Sequence, residues 1–361
     1  MQGLLDDLLR HLLDRRGSDL HLKVGAAPAI RVDGQLQSTP FPPLTAADTE
    51  RLAYAVLTGA RADEFDATNE ADVAIDHPGL GRFRVNVYRQ RGTVALVARA
   101  VTTGIPSFAD LGLPPAVARL AEEQRGLVLV TGPTGSGKTT TIASMIDHIN
   151  ANQSVNVVTI EDPIEVLHHD KQALVSQREI GADTVGFAEA MRRVLRQDPD
   201  VIFVGEMRDP ETVWAALSAA ETGHLVLSTL HTTNAVETVN RIVDFFPPHQ
   251  HAQVRLSLAT SLRGVVSQRL VARASGDGRV PAVEVLMNTG RVFEQIVNPE
   301  ASGDGIPEIM ADGEFYGMQT FDQSLLGLHR AGVIGLREAM AAATSPSDLR
   351  VALQREGLLT A

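Results

Sequence analysis

The spacing of apolar positions along the chain changes period several times, and each change marks an element. Leu4, Leu5, Leu8, Leu9, Leu12 and Leu13 recur at helical spacing with Asp6, Asp7, Arg10 and Asp14 between them, which predicts an amphipathic helix packed on its own domain. Those charges also break the continuous apolar core that a signal peptide requires. After a turn at Gly17-Ser18-Asp19, Leu20, Leu22 and Val24 alternate with Asp19, His21 and Lys23, the period-two pattern of a half-buried strand. Ile30 and Val32 run into Asp33-Gly34, a hairpin signal. Residues 45–58 read as a helix with Thr45 as N-cap. Phe83, Val85 and Val87 alternate with Arg82, Arg84, Asn86 and Tyr88, and a turn at Arg91-Gly92 returns into Val94, Leu96 and Val97. Residues 1–101 are therefore expected to form a mixed α/β domain with an antiparallel sheet.

Residues 102–115 are rich in Pro, Gly and Thr and keep no period, as a linker and hinge would. From residue 116 to about 290 helical stretches alternate with short apolar strands at 127–130, 156–160, 201–204 and 225–230. An arginine-rich helix is expected at 185–196 and another at 210–221. That alternation predicts an α/β domain with a parallel sheet. Residues 291–361 read as a helical C-terminal part, with a Gly-rich break at 302–305. The last helix should be capped by Ser345 or Ser347 and begin after Pro346.

The strand at 127–130 leads into Gly132-x-x-x-x-Gly137-Lys138-Thr139, and Ile142, Met145, Ile146 and Ile149 then recur at helical spacing. A P-loop carries meaning only between a strand and a helix, and here it has both. Successive backbone N–H groups can wrap a polyphosphate only where Gly132, Gly135 and Gly137 let the chain curl closely. The helix N-terminus adds partial positive charge. Lys138 supplies a point charge for the β and γ phosphates, and the Thr139 hydroxyl can ligate Mg²⁺. The candidate nucleotide-binding set is Gly132, Pro133, Thr134, Gly135, Ser136, Gly137, Lys138, Thr139 and Thr140. The chain is expected to bind ATP with Mg²⁺.

Carboxylates at strand ends extend the candidate site, because catalytic groups of parallel sheets gather at the carboxyl ends of strands. The 156–160 strand ends in Glu161-Asp162-Pro163-Ile164-Glu165, and one of these acids would orient or deprotonate the attacking water. The 201–204 strand ends in Gly205-Glu206, where Glu206 takes the place of the usual Walker B aspartate beside Mg²⁺. His224 and His231 bracket the 225–230 strand roughly 23 Å apart, too far to share a metal. His231-Thr232-Thr233 could instead sense the γ-phosphate. One face of the late hairpin in the first domain is expected to carry Arg82, Arg84, Arg89, Arg91 and Arg99, a source of cations for phosphoryl transfer.

Composition narrows the classes. The 361 residues contain no cysteine, which excludes disulfides, thiol nucleophiles and cysteine-ligated metals. A net charge of −12 argues against a nucleic-acid partner. No apolar run approaches the roughly 20 residues that span a bilayer, so a cytoplasmic protein is expected.

Six segments in order resemble the secretion and pilus ATPase superfamily, and within it the PilT-like retraction ATPases of type IV pili. They are GSDLHL (17–22), GRFRVNVY (81–88), the Walker A stretch (126–141), TIEDPIEVLH (159–168), RQDPDVIFVGEMRDPET (196–212) and AAETGHLVLSTLHTTNA (219–235). The resemblance implies a PAS-like N-terminal domain joined to a RecA-like P-loop domain, assembled as a homo-hexamer. It implies that the protein docks at the inner face of the cytoplasmic membrane on the platform protein of the pilus machine. By resemblance, Glu165 is the catalytic carboxylate and Glu206 the Walker B acid. His224 and His231 belong to a His box at the same site, and Arg84, Arg91 and Arg99 reach the phosphates. The implied activity is ATP hydrolysis that drives pilin depolymerisation and twitching motility. The lack of the tetracysteine module of assembly ATPases favours retraction. The segment Thr289–Asn298 keeps the hydrophobic spacing of the family's AIRNLIRE stretch but little of its identity. An accessory paralogue, or a secretion or pilus-assembly ATPase of the superfamily, is the alternative.

Overall fold

The computed structural model describes residues 2–32, 34–101, 104–300 and 304–359. The chain divides into two units, Met1–Thr103 with Glu165–Leu167, and Gly104–Ile164 with His168–Ala361. Asp33 of the expected turn, Thr102 and Thr103 of the expected linker, and residues 302 and 303 of the Gly-rich break lie outside the described residues.

The first unit is an antiparallel sheet with helices on one face. In chain order it comprises α1 (Gln2–Asp14), β1 (Asp19–Lys23), β2 (Ala29–Val32), β3 (Gln35–Ser38), α2 (Ala46–Val56), α3 (Ala60–Thr68), β4 (Glu70–His77), β5 (Gly81–Gln90) and β6 (Thr93–Ala100). The six strands lie in the order β3-β2-β1-β6-β5-β4. Leu8, Leu9 and Leu12 of α1 are fully buried, in one cluster with Phe65 of α3 and Phe83, Val85 and Val87 of β5. The α2 helix begins where expected: the Thr45 side chain accepts the Asp48 amide, and the Asp48 carboxylate accepts the Thr45 amide at 2.9 Å. This reciprocal capping satisfies donors that the helix leaves unpaired.

Register decides which arginines share a face, and it corrects the sequence reading. Arg84 pairs with Arg99, Arg99 with Asp19, and Asp19 with Arg31, so these four form a row across the face opposite the helices. Arg99 Nε donates to Asp19 at 2.7 Å, and Arg31 Nε lies 3.8 Å away. Arg82 shares that face and pairs with Asp76 at 2.6 Å. Arg89 is an odd number of residues away from Arg84, and the period of two puts it on the core side. Its guanidinium lies 5.0 Å over the Phe65 ring. Arg91 sits in the turn with φ 49. The five arginines therefore do not form one patch.

The second unit begins with α4 (Phe108–Leu111) and α5 (Pro115–Ala121), followed by β7 (Gly126–Thr131) and α6 (Lys138–Asn152). Next come β8 (Asn156–Glu161), β9 (Leu174–Glu179), α7 (Phe187–Val194), β10 (Val201–Val204), α8 (Pro210–Glu221) and β11 (Leu225–Leu230). Then follow α9 (Ala235–Asp244), α10 (His251–Ser261), β12 (Leu262–Ala272) and β13 (Arg279–Met287). The chain closes with α11 (Gly290–Val297), α12 (Ile306–Ala311), α13 (Phe321–Arg330), α14 (Leu336–Ala342) and α15 (Pro346–Arg355). Strand order is β13-β12-β7-β11-β10-β8-β9, parallel except for the antiparallel β12–β13 pair. Every residue of β7 is buried; Leu127 and Leu129 join the cluster on one face, and Val128 and Val130 the cluster on the other. A strand covered on both faces reads as a continuous apolar run for this reason. Helices α13 to α15 pack around Val271 of β12 and Val280 of β13. Ser345 caps α15, and Pro346 is its first residue rather than the residue before it.

Replacing Leu9 by alanine should remove about 2–5 kcal/mol of stability from the first unit, read as a lower urea midpoint with the second unit's transition unmoved.

Candidate functional site

Parallel strands that run side by side end along one edge, so β7, β11, β10 and β8 deliver the segments that follow them to a common line. After β7 the chain turns through residues 132–137. At Gly132, with φ 144, a Cβ would stand 2.5 Å from the Gln268 carbonyl oxygen, so no other residue fits. Gly137, left-handed at φ 93, caps the start of α6. The loop thereby presents its amides around a concavity at a helix N-terminus.

Lys138 opens α6 and is buried, and its ammonium must find partners there. Nζ donates to the Gly132 carbonyl at 2.8 Å and the Pro133 carbonyl at 3.1 Å, and lies 3.4 Å from His231 Nδ1. His231 directly follows β11, and its Nε2 stands 3.1 Å from Glu206 Oε1. The other Glu206 oxygen accepts Arg208 Nε at 2.8 Å. These partners fix the imidazole's proton: Nε2 donates to the carboxylate while Nδ1 offers its lone pair to the ammonium. Lys138, His231, Glu206 and Arg208 thus form one relay, and a cavity of ≈ 430 Å³ lies along it, walled by Glu206, Arg208, His231 and, from α9, Glu237 and Arg241.

The buried hydroxyl of Ser136 has no hydrogen-bond partner among the described residues. An unpartnered hydroxyl, a glycine-lined cradle and a buried ammonium fit a polyphosphate, the group able to satisfy all three. Thr139 is exposed on the first turn of α6, and Glu206 keeps 18% of its side chain exposed. Both are oxygen donors of the kind that would suit Mg²⁺ beside a phosphate. No group of three or more His, Cys, Asp or Glu side chains that could hold a metal alone occurs among the described residues.

The remaining sequence candidates are distributed differently. Glu161 is buried, receiving the Thr159 hydroxyl at 2.6 Å and the Gln177 amide at 3.0 Å. Glu165 is exposed and belongs to the first unit, as do Arg84, Arg91 and Arg99. His224 precedes β11, and its carbonyl accepts the amide of Gly126, the first residue of β7. That places it at the amino edge of the sheet, away from the P-loop, with its ring held by the Ala219 carbonyl at 3.0 Å. The structure brings His231 to the P-loop and does not bring His224 there. Arg208, which orients the Glu206 carboxylate, went unnoticed in the sequence, although its position two residues after Glu206 was a usable signal.

Comparison with known proteins bears on the chain as a whole. Residues 1–304 match the family model described as "Type II/IV secretion system protein". The chain is 42% identical to the type IV pilus retraction ATPase PilT of Pseudomonas aeruginosa over 95% of its length and 99% of that protein's. It is 39% identical to the type IV pilus ATPase PilU of the same organism, over 97% and 91%. A crystal structure of the pilus retraction motor PilT with bound ADP superposes with a TM-score of 0.87 at 46% identity, covering 96% of this chain and 98% of that one.

A Gly132→Ala substitution should reduce ATP affinity at least about tenfold, because the added methyl displaces the cradle. Titration with a fluorescent nucleotide, alongside an unchanged far-UV circular dichroism spectrum, checks it.

Proposed function

We propose that this chain, which belongs to the type II/IV secretion system protein family of ATPases, works as a ring-forming motor whose ATP hydrolysis pulls pilin subunits out of a type IV pilus. The observation that carries the reading is the Lys138–His231–Glu206 relay beside the P-loop. Similarity to PilT over nearly the whole chain supplies the cargo.

The chemistry follows from the residues. Lys138 turns from the Gly132 and Pro133 carbonyls to the β and γ phosphates, exchanging neutral acceptors for charged ones. Because His231 touches both Lys138 and Glu206, that movement is felt at the Walker B acid. Thr139 and Glu206 would hold Mg²⁺, which would supply charge neutralisation of the phosphates. Glu165 polarises the attacking water, and Arg84, Arg91 and Arg99 of the first unit stabilise charge on the transferring phosphoryl group. Arg99 must leave Asp19 to do so. The ring is a homo-hexamer acting from the cytoplasmic side on a membrane platform protein. No helix among the described residues is long and apolar enough to cross a membrane, which suits a peripheral motor. Hydrolysis would be coupled to a rigid-body motion.

Lys138→Ala should abolish hydrolysis, and Glu165→Gln should lower kcat by at least ~100-fold while leaving nucleotide binding near wild type, both read by phosphate release and nucleotide titration. Normal turnover in the first would remove the site reading, and normal turnover in the second would remove Glu165 from its role. Deleting the gene in its native cell should leave abundant pili that do not retract; loss of pili would mean assembly, and unchanged retraction an accessory subunit.

A further inference from the structure

Glu284 lies on β13, far in sequence from every motif of the nucleotide site, and only 5% of it is exposed. Its Oε1 accepts the amide of Ala235 at 2.7 Å, and the backbone amide of Phe321 is near enough to favour its charged form. Ala235 is the first residue of α9 and Phe321 the first of α13. One buried carboxylate therefore accepts the leading N–H of α9 and faces that of α13, where negative charge is favoured.

The two helices lead to different places. Immediately before α9 stand His231, Thr232, Thr233 and Asn234, the segment that contacts Lys138 and Glu206. Helix α13 belongs to the C-terminal helices, and its Asp322 accepts the Thr344 amide at 2.8 Å and the Ser345 amide at 3.0 Å. Between α9 and α13 lies a cavity of ≈ 790 Å³ with Glu284 in its wall. Glu237 and Arg241 of α9 line both this cavity and the smaller one at the nucleotide edge. Helix α9 is thus a single wall shared by the two spaces, and Glu284 holds its first turn.

We infer that Glu284 is a positioning residue for ATP hydrolysis: its ionised carboxylate anchors the start of α9, and with it His231, to the C-terminal helices. This rests on the reading of the Lys138–His231–Glu206 relay as the hydrolysis site.

The charged groups around Glu284 decide when it is ionised. Arg269 of β12 faces it, but that guanidinium is bonded to the Ala342 carbonyl at 2.8 Å and stacked 3.9 Å over Phe321. Asp322 faces it from α13, and Glu237, Arg241 and Asp244 line the cavity from α9. From α12 come only Pro307 and Met310. Burial pushes the Glu284 carboxyl up to about 7 against the pull of the Ala235 amide and Arg269, with Asp322 adding to the rise. Its pKa in the folded chain lies above that in the unfolded chain. Its ionisation therefore costs stability as pH rises from the ordinary carboxylate range through about 7, and the cost is complete above that. The anchor is fully formed where the fold bears most strain from it.

The test is the pH profile of ATP turnover by the full-length chain between pH 5.5 and 8.5. Wild type should gain activity through a limb centred near 7. E284Q should lose that limb, with kcat about tenfold down at pH 8, within twofold at pH 6, and KM for ATP little changed. Melting temperatures over the same range should fall more steeply with pH for wild type than for E284Q, so that lost turnover is not lost folding. Ala235→Pro removes the donated N–H at a first helical position that tolerates proline and should reproduce the lost limb without touching the carboxylate. A wild-type profile without a limb near 7, or limbs unchanged in both variants, overturns the inference. Were Lys138→Ala still active, the site reading itself would fall, a result distinct from either.

Discussion

Lys138 is an ammonium that must be dry and still be partnered. An isolated buried cation is too costly to keep, so the surrounding chain is arranged to give it acceptors. Two are carbonyls of the loop it closes, and they can face inward only because Gly132 and Gly137 adopt backbone conformations that other residues resist. A further neighbour, His231, comes from a different strand and makes the ammonium dependent on the sheet's register: β11 must end level with β7, as the pairing of Leu230 with Thr131 ensures. Through His231 the same constraint reaches Glu206 and Arg208.

What was legible in the sequence was local. The P-loop, the strand before it and the helix after it are set by neighbouring residues, and the structure has them at the expected positions. The same holds for the Thr45 cap and the buried leucines of α1. Elements whose pattern is diluted by an exposed edge went unassigned. In β4 only Ala71 is fully buried, β9 flanks the sheet with Leu174 exposed, and α3 buries Phe65 alone. The β12–β13 pair was also unassigned, and it joins an otherwise parallel sheet by an antiparallel step that strand–helix alternation does not announce.

Properties created by distant parts of the chain could not be read at all. Asp19 looked like the solvent side of an alternating strand, yet it is buried. Burial pushes its carboxyl up, while the Ser18 hydroxyl and Arg99 outweigh that and hold it below the usual range. In the sequence Glu284 is one acid among the apolar Val283, Val285 and Leu286, with no motif to mark it. Its environment is made by Ala235, 49 positions before it, and by Phe321 and Asp322 of α13 well after it, which no local window samples. The His box groups His224 with His231, and the direction of β11 puts only His231 at the carboxyl edge.

The row Arg31–Asp19–Arg99–Arg84 has a consequence at the scale of the whole molecule. Three cations against one anion make the row itself positive on a chain whose net charge is −12, with Asp72 and Asp76 of β4 on the same face beside Arg84. At physiological ionic strength charges beyond about 8 Å are largely screened, so an anion feels the molecule's overall repulsion only faintly and the row strongly once it is near. Low salt lengthens the reach of the repulsion, and high salt screens the row along with it. Any attraction of an anion to the row would therefore be greatest within a window of ionic strength, a property of the charge pattern that no single arginine possesses.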